Sequence, residues 1–86
     1  MKQTIIGIMG LGESATAKDL ENAFQLGQLI AQAGWVLLTG GRNSGVMDAA
    51  GKGAKSASGL TIGILPGNNS SDISEAVDIA LIYSPA

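Results

Sequence analysis

Three short apolar runs, each closed by glycine, constrain this sequence most. They are Thr4 to Met9 before Gly10, Trp35 to Leu38 before Thr39-Gly40-Gly41, and Leu60 to Leu65 before Pro66-Gly67. Their apolar residues are continuous and partly β-branched rather than alternating, the pattern of strands buried on both faces of a parallel sheet. The stretches between them have helical period. Leu20, Ala23, Phe24, Gly27, Ile30 and Ala31 form one stripe. Thr16 caps that helix, with Asp19 three residues on in a variant of the capping box. The helix is predicted to run to about Ala33, where Gly34 stops it, and Gly27 to bring it close to the sheet.

A second helix is predicted from Ser44 or Gly45 to about Ser58, ended by Gly59. Its stripe is Val46, Ala49, Ala50, Gly53, Ala54 and Ala57. Side chains this small require a close neighbour. After Pro66-Gly67 come a polar stretch from Asn68 to Ser71, a short helical turn around Asp72 to Ala76, and a fourth apolar run from Val77 to Tyr83. Strands alternating with helices imply a parallel sheet with right-handed crossovers. The expectation is one α/β domain over residues 1–86, Rossmann-like, with strand order 3-2-1-4 and a switch point between the first and fourth strands. Ligands of such sheets bind at the C-terminal strand ends. Gly10-Leu11-Gly12, Thr39-Gly40-Gly41 and Pro66-Gly67-Asn68 all fall there.

Composition removes several chemistries. The chain has no Cys and no His, which excludes disulfides, thiol catalysis and imidazole acid–base work. A net charge of −2 with no basic run argues against nucleic acid. No segment approaches the roughly 18 apolar residues of a membrane span, and the N-terminus lacks a signal peptide's apolar stretch. The expectation is a soluble cytoplasmic protein. With aromatics at 3%, the core must come from Ile, Leu, Val, Met and Ala. Met9 and Met47 are expected in the core or a pocket wall, and Trp35 to pack where the second strand enters.

Gly10 to Ala15 fits the G-x-G-x-x-G/A spacing, but the helix cap lies after it, at Thr16. The second strand also lacks the acid that would hold a ribose. A dinucleotide is therefore not expected, and Gly10 equally serves a plain turn. Thr39 to Met47 says more. Gly40 and Gly41 permit left-handed backbone and close approach. Arg42, the chain's one arginine, suits bidentate phosphate binding. Ser44, Gly45 and Val46 open a helix whose N–H groups and dipole favour an anion. Alternatively Arg42 pairs with Glu13 or Asp48 and staples the loop. Asn68 to Ser71 offer ligand contacts or simple turn bonding. Glu13 is the acid best placed for chemistry, or an ordinary exposed glutamate.

The segments GIMGLGES, GWVLLTGGRNSGVMDAAGKGAKSASG, TIGILPG and DISEAVDIAL resemble the molybdenum cofactor carrier proteins. More broadly they resemble the Rossmann-like group long labelled putative lysine decarboxylases, which includes the LOG enzymes that release cytokinin bases from nucleoside monophosphates. The likeness runs to about Ala80. It implies a Rossmann-like fold, homo-oligomers and an anionic ligand at the glycine loops. The TGG-R segment of the family contacts phosphate, which points to Gly40, Gly41, Arg42, Gly45 and Val46. The GxGES-like turn adds Gly10, Gly12 and Glu13, and the LPG loop adds Pro66 and Gly67.

The LOG enzymes carry a later PGGxGTxxE motif that this chain lacks, so it reads as the N-terminal half of the family's domain, a truncated product or a fragment. Lysine decarboxylation is not expected, because nothing marks a lysine for pyridoxal phosphate. The implied function is binding without turnover of a phosphorylated small molecule, the molybdenum cofactor or a nucleotide. The alternatives are a nucleoside 5′-monophosphate phosphoribohydrolase or its inactive remnant. The expected contacts are Gly10, Gly12, Glu13, Thr39, Gly40, Gly41, Arg42, Ser44, Gly45, Val46, Pro66, Gly67 and Asn68, with no metal held by the protein.

Overall fold

The computed structural model describes residues 3–10, 14–43, 45–66 and 73–83. The elements follow the sequence: β1 (Ile5–Gly7), α1 (Ala17–Gln32), β2 (Val36–Thr39), α2 (Gly45–Ser56), β3 (Thr61–Pro66) and β4 (Ile79–Tyr83). The capping box of α1 is complete. Asp19 N donates to Thr16 Oγ1 at 3.1 Å, and Thr16 N donates to Asp19 Oδ2 at 2.9 Å. At its other end Gly34 takes φ +78°. Gly34 N then bonds Ala31 O and Trp35 N bonds Ile30 O, which satisfies the last carbonyls.

The end of α2 departs from expectation. Ser58, not Gly59, holds the left-handed position, at φ 60°. Gly59 serves close packing instead: a Cβ there would strike Ala31 Cβ.

The helices pack on each other as well as on the sheet. A Cβ on Gly27 would run into the Ala50 carbonyl, and one on Gly53 into the Phe24 carbonyl. Gly27 thus serves the approach of α1 to α2, where the sequence reading had it serve the sheet. Ala23, Ile30, Leu37, Ala50 and Ala54 form the buried core, with Ile6, Ile8, Ala31, Val46 and Ala49 around it.

All four strands are parallel, in the order β1-β2-β3-β4. The expected order 3-2-1-4 is not formed, so no switch point lies between β1 and β4. The reason lies in the β3–β4 connection. Reaching the far side of β1 would carry the chain across about 14 Å of sheet. Residues 73–78 instead stay on the flank of β3. Ser74 N donates to Gly41 O, Ala76 lies under Gly51, and Val77 lies against Gly63. Asp78 then clamps the strand starts, its N–H donating to Thr61 O and its carboxylate accepting from Thr61 N, both at 2.9 Å. In place of the expected helical turn stand an Arg42–Ile73 bridge and a tight turn at Glu75-Ala76.

Both helices lie on the face that carries Ile6, Leu37 and Thr61. No described helix covers the other. Register puts Gly7, Leu38, Ile62 and Ile79 in one row there and Ile64 beside Leu81 in the next. Strands expected to be buried on both faces are therefore one-sided: Ile5 is 50% exposed and every residue of β4 is exposed. Trp35 does sit where β2 enters, but is 43% exposed.

Candidate functional site

The turn between β2 and α2 depends on two left-handed glycines, Gly41 at φ +75° and Gly45 at φ +73°. Thr39, buried at the end of β2, accepts from Gly41 N through Oγ1 at 3.0 Å. Gly40 N donates to Met47 Sδ at 3.2 Å. Gly41 also lies against Leu65, where a Cβ would come within 2.8 Å of Cδ1. The amides of Gly40 and Gly41, two of the expected contact residues, both donate within the loop and hold its shape. The first N–H groups of α2, from Gly45 onward, are ones that a helix leaves without intrahelical acceptors.

Gly10 joins this corner: a Cβ there would come within 2.9 Å of Val46 Cγ2. Gly10, just after β1, is thus packed on the first turn of α2. Arg42 is exposed and pairs through its backbone with Ile73. Met47 is half-buried beneath the loop and Met9 is 59% exposed. Pro66 closes β3 opposite Tyr83 at the same edge. Gly12, Glu13, Ser44, Gly67 and Asn68 lie outside the described residues.

Sequence reasoning missed Ser74. Its hydroxyl donates to Asp48 Oδ1 at 2.5 Å and accepts from Ala76 N at 3.1 Å. The available signal was a small hydroxyl residue opening a turn. The other oxygen of Asp48, Oδ2, meets Lys52 Nζ at 2.9 Å. That bond and the carboxylate's charge raise the Lys52 pKa above its ordinary 10.5. Asp48 was weighed as a partner for Arg42, and its oxygens engage Ser74 and Lys52. Beside the turn lies a hollow of about 270 Å³ lined by Asn43, Asp48, Lys52 and Glu75. A larger one, about 400 Å³, opens at the opposite strand end near Ile5, Trp35, Leu60 and Ile62. Its mainly apolar lining offers little to an anion.

A model of the SLOG cluster4 family matches residues 3–84. The chain belongs to the SLOG cluster4 family. Among solved structures, the molybdenum cofactor binding protein from the phototrophic bacterium Rippkaea orientalis is 65% identical, with TM-score 0.92 over 96% of this chain and 51% of that one. The molybdenum cofactor carrier protein from Chlamydomonas reinhardtii is 51% identical, with TM-score 0.90 over 95% of this chain and 51% of that one. An uncharacterised protein from Archaeoglobus fulgidus is 43% identical over 84 residues, 92% of this chain and 54% of its own length. This SLOG cluster4 chain therefore spans about half the length of each of these relatives. No described helix is long and apolar enough to cross a membrane.

Proposed function

We propose that this SLOG cluster4 chain is a cytoplasmic binding module that holds a phosphate-bearing small molecule, of the molybdenum cofactor class, without turning it over. The observation that carries this reading is the left-handed pair Gly41 and Gly45, which turns the chain so that α2 begins beside exposed Arg42 and the Gly10 loop. A phosphate there meets helix N–H groups, the positive dipole end and a guanidinium. The identity of 51–65% to proteins named for molybdenum cofactor binding or carriage supports that cargo. The proposed grip is on phosphate, with any metal arriving as part of the cargo. Gly12, Glu13, Ser44, Gly67 and Asn68 complete the proposed contacts.

A thermal-shift titration with phosphate, AMP and molybdopterin compounds tests this, because a ligand of the native state raises the melting temperature by mass action. The expected result is a shift with an anionic ligand that is lost in Arg42→Ala. No shift with any of them would overturn the reading. Release of free adenine from AMP would instead support the phosphoribohydrolase alternative.

A further inference from the structure

The chain has no cysteine, so all of its sulfur is methionine. Two of those sulfurs converge on one point. A Cβ built on Gly40 would lie 2.9 Å from Met47 Sδ and 3.9 Å from Met9 Sδ. Met47 comes from the first turn of α2, and Met9 from just after β1. The contact with Met47 is more than packing, because Gly40 N donates to its Sδ at 3.2 Å. A thioether is a weak acceptor, yet here it takes the amide at the head of the β2–α2 turn.

Neither sulfur belongs to the sealed core. Met9 is exposed and Met47 half-buried. Both are therefore open to a small oxidant such as hydrogen peroxide. In that reaction a sulfur lone pair attacks one peroxide oxygen and the O–O bond breaks. The thioether is oxidised by two electrons to a sulfoxide, and the peroxide is reduced to water. The sulfoxide's acceptor is the added oxygen, and its sulfur carries partial positive charge. Met47 Sδ already packs against Gly40, so no room remains between sulfur and amide for that oxygen. The bond from Gly40 N cannot persist in its present form.

We propose that Met47 is an oxidation site through which peroxide loosens the β2–α2 turn, with Met9 as the outer sulfur that reacts first. Gly40 directly precedes Gly41, whose left-handed φ turns the chain toward α2. Releasing Gly40 N frees that turn to shift, and with it Arg42 and the first amides of α2. The consequence for binding rests on the reading of this turn as an anion site: a sulfoxide at Met47 weakens the hold on phosphate, and its reduction restores it. A chain without thiols thereby couples its cargo to oxidant through thioethers.

The test treats the folded 86-residue chain with hydrogen peroxide. Tryptic peptides separate the two sulfurs by mass, since residues 3–18 hold Met9 and residues 43–52 hold Met47. The expected order of oxidation is Met9, then Met47. Hydrogen exchange at the Gly40 amide, followed by NMR without ligand, should become about tenfold faster once Met47 is oxidised, with circular dichroism unchanged. The phosphate-dependent rise in melting temperature should then be lost, and methionine sulfoxide reductases should restore both. Met47→Leu keeps the volume but accepts no hydrogen bond. Its Gly40 amide should exchange fast from the start and ignore peroxide, whereas Met9→Leu should keep the response. A Met47 that stays reduced after Met9 is fully oxidised would overturn the proposal. So would Gly40 exchange that Met47 oxidation leaves unchanged, a Met47→Leu chain that still responds, or peroxide that unfolds the whole chain. An untreated chain with no phosphate shift would overturn the anion reading alone, and the Gly40 measurement would still decide the oxidation site.

Discussion

The hydroxyl of Ser74 donates to the carboxylate of Asp48 at 2.5 Å, tying the segment before β4 to the first turn of α2. Ser74 N also holds Gly41 O, so one residue braces both sides of the β2–α2 turn. Ser74→Ala should cost about 1–2 kcal/mol, because Ala76 N and Asp48 each lose a partner at a buried position. Urea unfolding would measure it. A cost near zero would mean that the brace is not formed in solution.

Gly27 and Gly53 stand at the closest approach of α1 and α2. Either one changed to Ala forces the helices apart and should cost about 2–3 kcal/mol. The double variant should cost clearly less than the sum, since the first substitution already opens the gap for the second. Simple additivity in denaturant unfolding would argue against a shared contact.

Gly45→Ala places a Cβ at φ +73° and should destabilise by about 1–2 kcal/mol. If the first turn of α2 grips an anion, this variant should also lose the phosphate-dependent rise in melting temperature. Arg42→Ala should lose that rise as well. An intact ligand shift in both variants would remove the site from this turn.

Ser58 occupies the left-handed position that glycine usually fills. Ser58→Gly should raise stability by about 1 kcal/mol. Gly59→Ala should lower it, because its Cβ meets Ala31. Calorimetric melting temperatures of the two variants moving in the same direction would contradict this assignment.

Lys52 is held protonated by Asp48, its pKa raised above 10.5. A raised pKa in the folded state adds stability that is complete below the unfolded value and is lost as pH rises through the folded value. The wild type should therefore lose slightly more stability than Lys52→Met at strongly alkaline pH. Lys52 is 59% exposed, so the difference should be small and should shrink with added salt.

What the sequence determined by itself was local. Thr16 with Asp19 marks the start of α1 and Gly34 its end, because a cap is made within a few residues of chain. The apolar runs placed four strands and two helices, and glycine at the strand ends placed the turn at Thr39 to Val46. Whether the Gly40 and Gly41 amides face a ligand or Met47 and Thr39 depends on side-chain positions that no spacing reports. Only tertiary structure decided that Gly27 meets Ala50 rather than the sheet, and that β4 lies beside β3. Both follow from contacts between residues distant in sequence. Asp78 clamps Thr61, and Ala76 fills the space that Gly51 leaves. Strand periodicity sets which residues share a face, whereas the order of strands is set by where the connecting chain can bury itself.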